Sequence, residues 1–95
     1  MSFDPYAVRD QIGMMNVLAI SGGRWFYDNT ENTVILPVRY GYKVVVKYNE
    51  GSDDYTVSRI HVRGTKVTVK GEKSGIYNDN LGSVAYEASC YRDEF

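Results

Sequence analysis

The chain contains one histidine and one cysteine, and neither stands in a pattern that activates it. His61 lies in Ile60-His61-Val62-Arg63, inside an alternating run, and reads as a surface strand residue rather than a general base. Cys90 falls late in a terminal helical pattern with no sequence-adjacent base, so it reads as a small helix-face residue. A single cysteine excludes an intrachain disulfide and a multi-cysteine zinc site, and a single histidine excludes a poly-histidine metal centre. Ser21 lacks the G-x-S-x-G frame that exposes a nucleophile. Ser21-Gly22-Gly23-Arg24 could shape an anion-cupping backbone nest, but two glycines fall short of a phosphate loop and suit a helix stop better. Asp28-Asn29-Thr30-Glu31-Asn32 lacks the glycine and the terminal glutamate of a calcium loop and reads as a hairpin turn. No carboxylate pair stands out for acid–base work. The expectation is a protein that is not an enzyme, with no catalytic residue, no metal and no cofactor.

Charge carries more information than any motif. The net charge is −1, yet residues 39–73 hold eight basic side chains against four acidic ones, a local +4 that leaves −5 for the rest. On the strand alternation Lys43, Lys47, Lys66 and Lys70 point away from the apolar face, with Arg59, His61 and Arg63 joining them. The expected partner-binding patch is therefore Arg59, Arg63, Lys43, Lys47, Lys66 and Lys70, with Tyr40 and Tyr42 as aromatic anchors at its edge. Arginine and tyrosine are the stronger candidates, because their planar groups bury surface with little entropy loss. Lysines on a solvent face also serve solubility alone. Sequence-tolerant single-strand binding would want aromatics on the same face as the cations. Here Tyr42, Tyr48 and Tyr55 alternate with them instead. A pI near 5.7 speaks against strong non-specific DNA binding.

The elements that must hold these residues follow from periodicity and punctuation. Asp4 caps and Pro5 opens a first helix with Val8 and Ile12 on one face, and Gly13 breaks it. Residues 14–21 fit either a short helix capped by Asn16 or a buried strand; the Gly22–Gly23 pair favours the helix. From Arg24 the period becomes two. Trp25–Tyr27, Thr33–Val38, Tyr42–Tyr48, Tyr55–Val62 and Lys66–Lys70 read as strands, with Asn49–Asp54 as the clearest loop. The apolar phase slips between Tyr55/Val57 and Ile60/Val62, which a β-bulge near Ser58–Arg59 would correct. Leu81, Val84, Ala85 and Ala88 then mark a helix capped by Asn78 or Asp79, with Gly82 an unfavourable residue inside it. The order implies an α+β fold: an antiparallel four- to five-stranded meander with N- and C-terminal helices packed on one face. Val44, Val46, Ile60, Val62, Val67 and Val69 should face the helices.

Ninety-five residues, 43% hydrophobic and 24% charged, suit one small globular domain spanning residues 1–95. No apolar run approaches the roughly 20 residues of a membrane helix, and Met14–Ile20 is too polar for a signal peptide. A soluble, cytoplasmic protein without a membrane partner is expected.

Asn16-Val17-Leu18-Ala19-Ile20-Ser21-Gly22-Gly23-Arg24 and Leu36-Pro37-Val38-Arg39-Tyr40-Gly41-Tyr42 resemble a family of small uncharacterised proteins from phages of actinobacteria. Tyr55-Thr56-Val57, Val62-Arg63-Gly64 and Val84–Tyr91 are similar to the same family. The resemblance implies a phage accessory protein in the host cytoplasm, which binds and modulates a host or defence protein. The alternative is a nucleic-acid-binding module using the basic sheet face. Self-association into a homo-oligomer is compatible with both.

Overall fold

The computed structural model describes residues 3–95. Its elements are α1 (Pro5–Ile12), α2 (Met14–Ser21), β1 (Phe26–Asp28), β2 (Thr33–Pro37), β3 (Tyr42–Asn49), β4 (Asp54–Arg63), β5 (Lys66–Ile76) and α3 (Asn78–Ser89). All five strands form one antiparallel meander in sequence order, and the three helices cover one of its faces. The fold is α+β, as the element order implies.

Local chemistry sets the helix ends. Asp4 Oδ1 accepts from the Tyr6 and Ala7 backbone N–H groups at 3.0 and 3.4 Å, relieving two of the orphan donors of α1. Residues 14–21 are helical, and Gly22 closes α2 in the left-handed region at φ 67°. Asn16 is not the cap of that helix. It is the third residue, within the first turn, and its Nδ2 donates to the last-turn carbonyl of Ile12 in α1 at 2.9 Å.

Gly82 has a packing reason. A Cβ there would collide with the Ile12 carbonyl oxygen and would lie 2.6 Å from Asn16 Nδ2. The missing side chain lets α3 lie directly on the α1–α2 junction, and Gly82 is buried. Leu81, Ala85 and Ala88 meet Ile12, Val17, Val34, Leu36, Val44, Val46 and Val57 in the core beneath.

Register decides which strand residues join that core. In the β3–β4 pair, Tyr42, Val44, Val46 and Tyr48 oppose His61, Arg59, Val57 and Tyr55 without interruption. A register shift does occur beside the expected place, between Arg59 and Ile60, but its extra residue is on β5 and not on β4. The irregularities lie on β5, where Lys70 and the pair Ser74–Gly75 have no partner in the register. Because β4 keeps strict alternation, its apolar residues change sides. Tyr55 and Val57 face the helices, whereas Ile60 and Val62 face the other way, opposite Val69 and Val67. The expectation that these four line the helix-covered core is wrong: Val67 and Val69 are 58% and 59% exposed.

Arg59 takes the core-side position instead and is 3% exposed. Its guanidinium donates to the carbonyls of Ala88 (2.6 Å), Asp93 (2.7 Å), Cys90 (3.0 Å) and Glu87 (3.2 Å). These include the orphan acceptors at the negative end of the α3 dipole, so a buried charge is offset by aligned carbonyls rather than by a carboxylate.

Candidate partner-binding surface

The uncovered face of the sheet is built from the alternate residues of each strand. One row across it runs Phe26, Ile35, Val45, Ser58 and Glu72; the next runs Pro37, Lys43, Ile60 and Val69; Val62 and Val67 close the end. Phe26 is 54% exposed, and Ile35, Val45, Ile60 and Val62 are half-buried by one another. Apolar side chains thus dominate the centre of a face that no helix covers. Lys43 and Lys47 flank it, on the side where the alternation predicts them.

The other expected site residues are distributed differently. Arg59 is removed from any surface by its burial, because its donors are committed to the α3 carbonyls. Arg63 shares the strand phase of Arg59 and pairs with Lys66 at the tip of the β4–β5 hairpin, where both are exposed. Lys70 is exposed at a bulge of the β5 edge. Tyr42 faces the helix side, stacked on Tyr91 at 4.8 Å between centroids and 4.7 Å from the His61 ring. Tyr40 is 72% exposed with its ring edge-on to Tyr91, 5.9 Å between centroids, and is held in the left-handed region at φ 58°. Its carbonyl oxygen lies 3.0 Å from His61 Nε2.

The charge division therefore runs along the strands rather than through the sheet. The turns at one end, between β2 and β3 and between β4 and β5, carry Arg39, Tyr40, Arg63 and Lys66. Those at the opposite end, between β1 and β2 and between β3 and β4, carry Asp28, Glu31, Glu50, Asp53 and Asp54. Asn49 and Ser52 donate to Asp54 and hold its carboxyl below the usual range. Only part of the expected patch is brought together: Lys43 and Lys47 on the face, Arg63, Lys66 and Tyr40 at its basic end.

Reading strands by their cleanest alternation misses Phe26, Ile35 and Val45. The signal is present in the runs Thr33-Val34-Ile35-Leu36 and Val44-Val45-Val46, which are apolar on consecutive residues and so supply apolar groups to both faces. No group of three or more metal-ligating side chains occurs among the described residues. No helix among them is long and apolar enough to cross a membrane. No protein family, characterised protein or solved structure matches the chain.

Proposed function

We propose that the protein is a non-enzymatic binding protein that modulates another protein, engaged through the open sheet face. The observation that supports this most is a five-stranded sheet with one face uncovered and that face apolar at its centre. Contiguous exposed apolar surface of this kind marks interaction sites in soluble domains. The fitting partner has an apolar patch bordered by carboxylates, which would meet Lys43 and Lys47. The resemblance to phage proteins makes that partner a host or defence protein of the host cytoplasm. A nucleic acid fits the face less well, because its one ring is Phe26 at the sheet margin and bases need a stacking platform.

The test is a double substitution, Val67→Asp with Val69→Asp, at positions whose exposure spares the fold. Tagged wild-type and variant proteins are compared in capture from nuclease-treated host lysate, then in titration of the captured protein. An affinity loss of at least about tenfold is expected, because two carboxylates would be set beside Ile60 and Val62 at the margin of the apolar surface. Unchanged affinity in a folded variant defeats the proposal. Binding to random DNA or RNA that falls steeply with salt would replace it with the nucleic-acid alternative.

A further inference from the structure

At the acidic end of the sheet, on the helix-covered side, α1, the β3–β4 hairpin and the β5–α3 junction enclose a cleft of about 660 Å³. That volume falls in the range of small-ligand sites. Its lining includes Asp4 and Asp53 and contains no lysine, arginine or histidine. Of the four hydroxyl groups that line it, those of Tyr48, Tyr55 and Ser52 have their protons committed, and that of Tyr77, among the described residues, does not. Tyr48 Oη donates to Asp53 Oδ1 at 2.7 Å, Tyr55 Oη donates to Gln11 Oε1, and Ser52 Oγ donates to Asp54 Oδ1 at 2.7 Å. Each hydroxyl has one proton, so what these groups still offer is oxygen lone pairs. Both capping bonds to Asp4 go to Oδ1, and so does the Tyr48 bond to Asp53. Each carboxylate retains a second oxygen without a donor among the described residues. Beside these acceptors lie the apolar surfaces of Phe3, Ala7 and Val8 and the ring of Tyr77, which is 58% exposed.

We propose that this cleft binds a guanidinium group on an apolar stem, the chemistry of an arginine side chain. A guanidinium presents five donors in one plane and no acceptor, which complements a wall rich in acceptors and, among the described residues, without a cationic side chain. Its delocalised charge is more weakly hydrated than an ammonium, so it loses less on entering a cleft with aromatic walls, and its flat face can stack on a tyrosine ring. Asp53 supplies the charge from the hairpin and Asp4 from the start of α1. The hydrogen bond to Asp53, with burial and the carboxylate's own charge, pushes the Tyr48 hydroxyl up to about 12, so it stays protonated and neutral. The stem lies along Ala7, Val8 and Phe3.

The experiment titrates the full chain with butylguanidinium and with butylurea, its neutral planar isostere, while following tyrosine-ring and backbone-amide NMR resonances. Butylguanidinium should shift Tyr48, Ser52 and Tyr77. Butylurea should bind at least about tenfold more weakly, the difference between charged and neutral donors. Asp53→Asn keeps an acceptor for Tyr48 but removes the charge, and should weaken butylguanidinium by a similar factor. Tyr77→Ala, at an exposed position, should also weaken it and serves if the Asn variant does not fold. A short arginine peptide and its citrulline counterpart separate the two sources of the group. Tighter binding of the arginine peptide than of butylguanidinium identifies a protein segment as the ligand; equal or weaker binding identifies a free small molecule. Equal affinity for butylguanidinium and butylurea, no shifts at the cleft at millimolar ligand, or a folded Asp53→Asn variant that binds like wild type overturns the proposal.

Discussion

Removing the Arg59 guanidinium would leave the carbonyls of Glu87, Ala88, Cys90 and Asp93 facing a side chain with nothing to donate. Arg59→Met preserves much of the volume and discards the donors, so it isolates the polar contribution. Chemical denaturation should show a loss of about 2–4 kcal/mol, the scale of a few buried acceptors left unpaired. Arg59→Lys should recover little, because a single ammonium cannot spread donors over four carbonyls. The Tyr48–Asp53 pair gives a prediction of a different kind. A folded value near 12 lies above the ordinary tyrosine value of 10.0, so the pair stabilises the fold fully below pH 10 and loses that contribution as pH rises toward 12. Ultraviolet titration of tyrosinate should find one ring ionising near the top of that window. In Asp53→Asn the same ring should ionise earlier.

Among the elements, α3 depends on the other helices more than on its own residues. Tyr77, which precedes it at the cap position, makes no side-chain cap and Gly82 sits inside it, yet Leu81, Ala85 and Ala88 are fully buried. Packing replaces propensity. Gly82→Ala should therefore destabilise the protein even though alanine favours an isolated helix by about 1 kcal/mol. The added methyl meets the Ile12 carbonyl, a backbone group that can yield only if α3 shifts. A net loss of about 1–3 kcal/mol is expected from thermal or denaturant unfolding, as for other overpacked sites. An unchanged or raised midpoint would show that the helices separate freely. At β5, the unpaired Lys70 and Ser74–Gly75 interrupt the outer edge, and the lysines along it discourage further strand pairing.

Across the whole molecule, two surfaces divide the functional possibilities. The open sheet face is apolar with flanking lysines; the cleft at the acidic end is concave and rich in acceptors. They lie on opposite sides of the sheet, so substitutions in one can be scored against the other. Val67→Asp with Val69→Asp should leave butylguanidinium binding intact, and Asp53→Asn should leave partner capture intact. The basic end belongs to neither. Arg63 and Tyr40 remain exposed there, but a charge reversal that included Arg59 would report on folding rather than on binding.

Much of this architecture is written in contacts a few residues apart. The Asp4 cap, the stop at Gly22 and the Asp28 turn, whose carboxylate accepts from Thr30 N and Glu31 N, are local. For that reason the element order, the meander and the single-sided placing of the helices were legible in the sequence. A period of two separates the residues of a strand into two sides without stating which side the helices take. In β4 both sides are apolar over part of their length, so a phase slip looked like a bulge. Only the uninterrupted pairing with β3 decided that Arg59 turns inward and Ile60 and Val62 outward. The acceptors that make a buried arginine tolerable come from residues 28 to 34 positions later. The cleft, likewise, brings Asp4 beside Asp53 from segments far apart in the chain. Burial and charge pairing across such distances depend on how the helices close over the sheet, and the tertiary structure alone settles that.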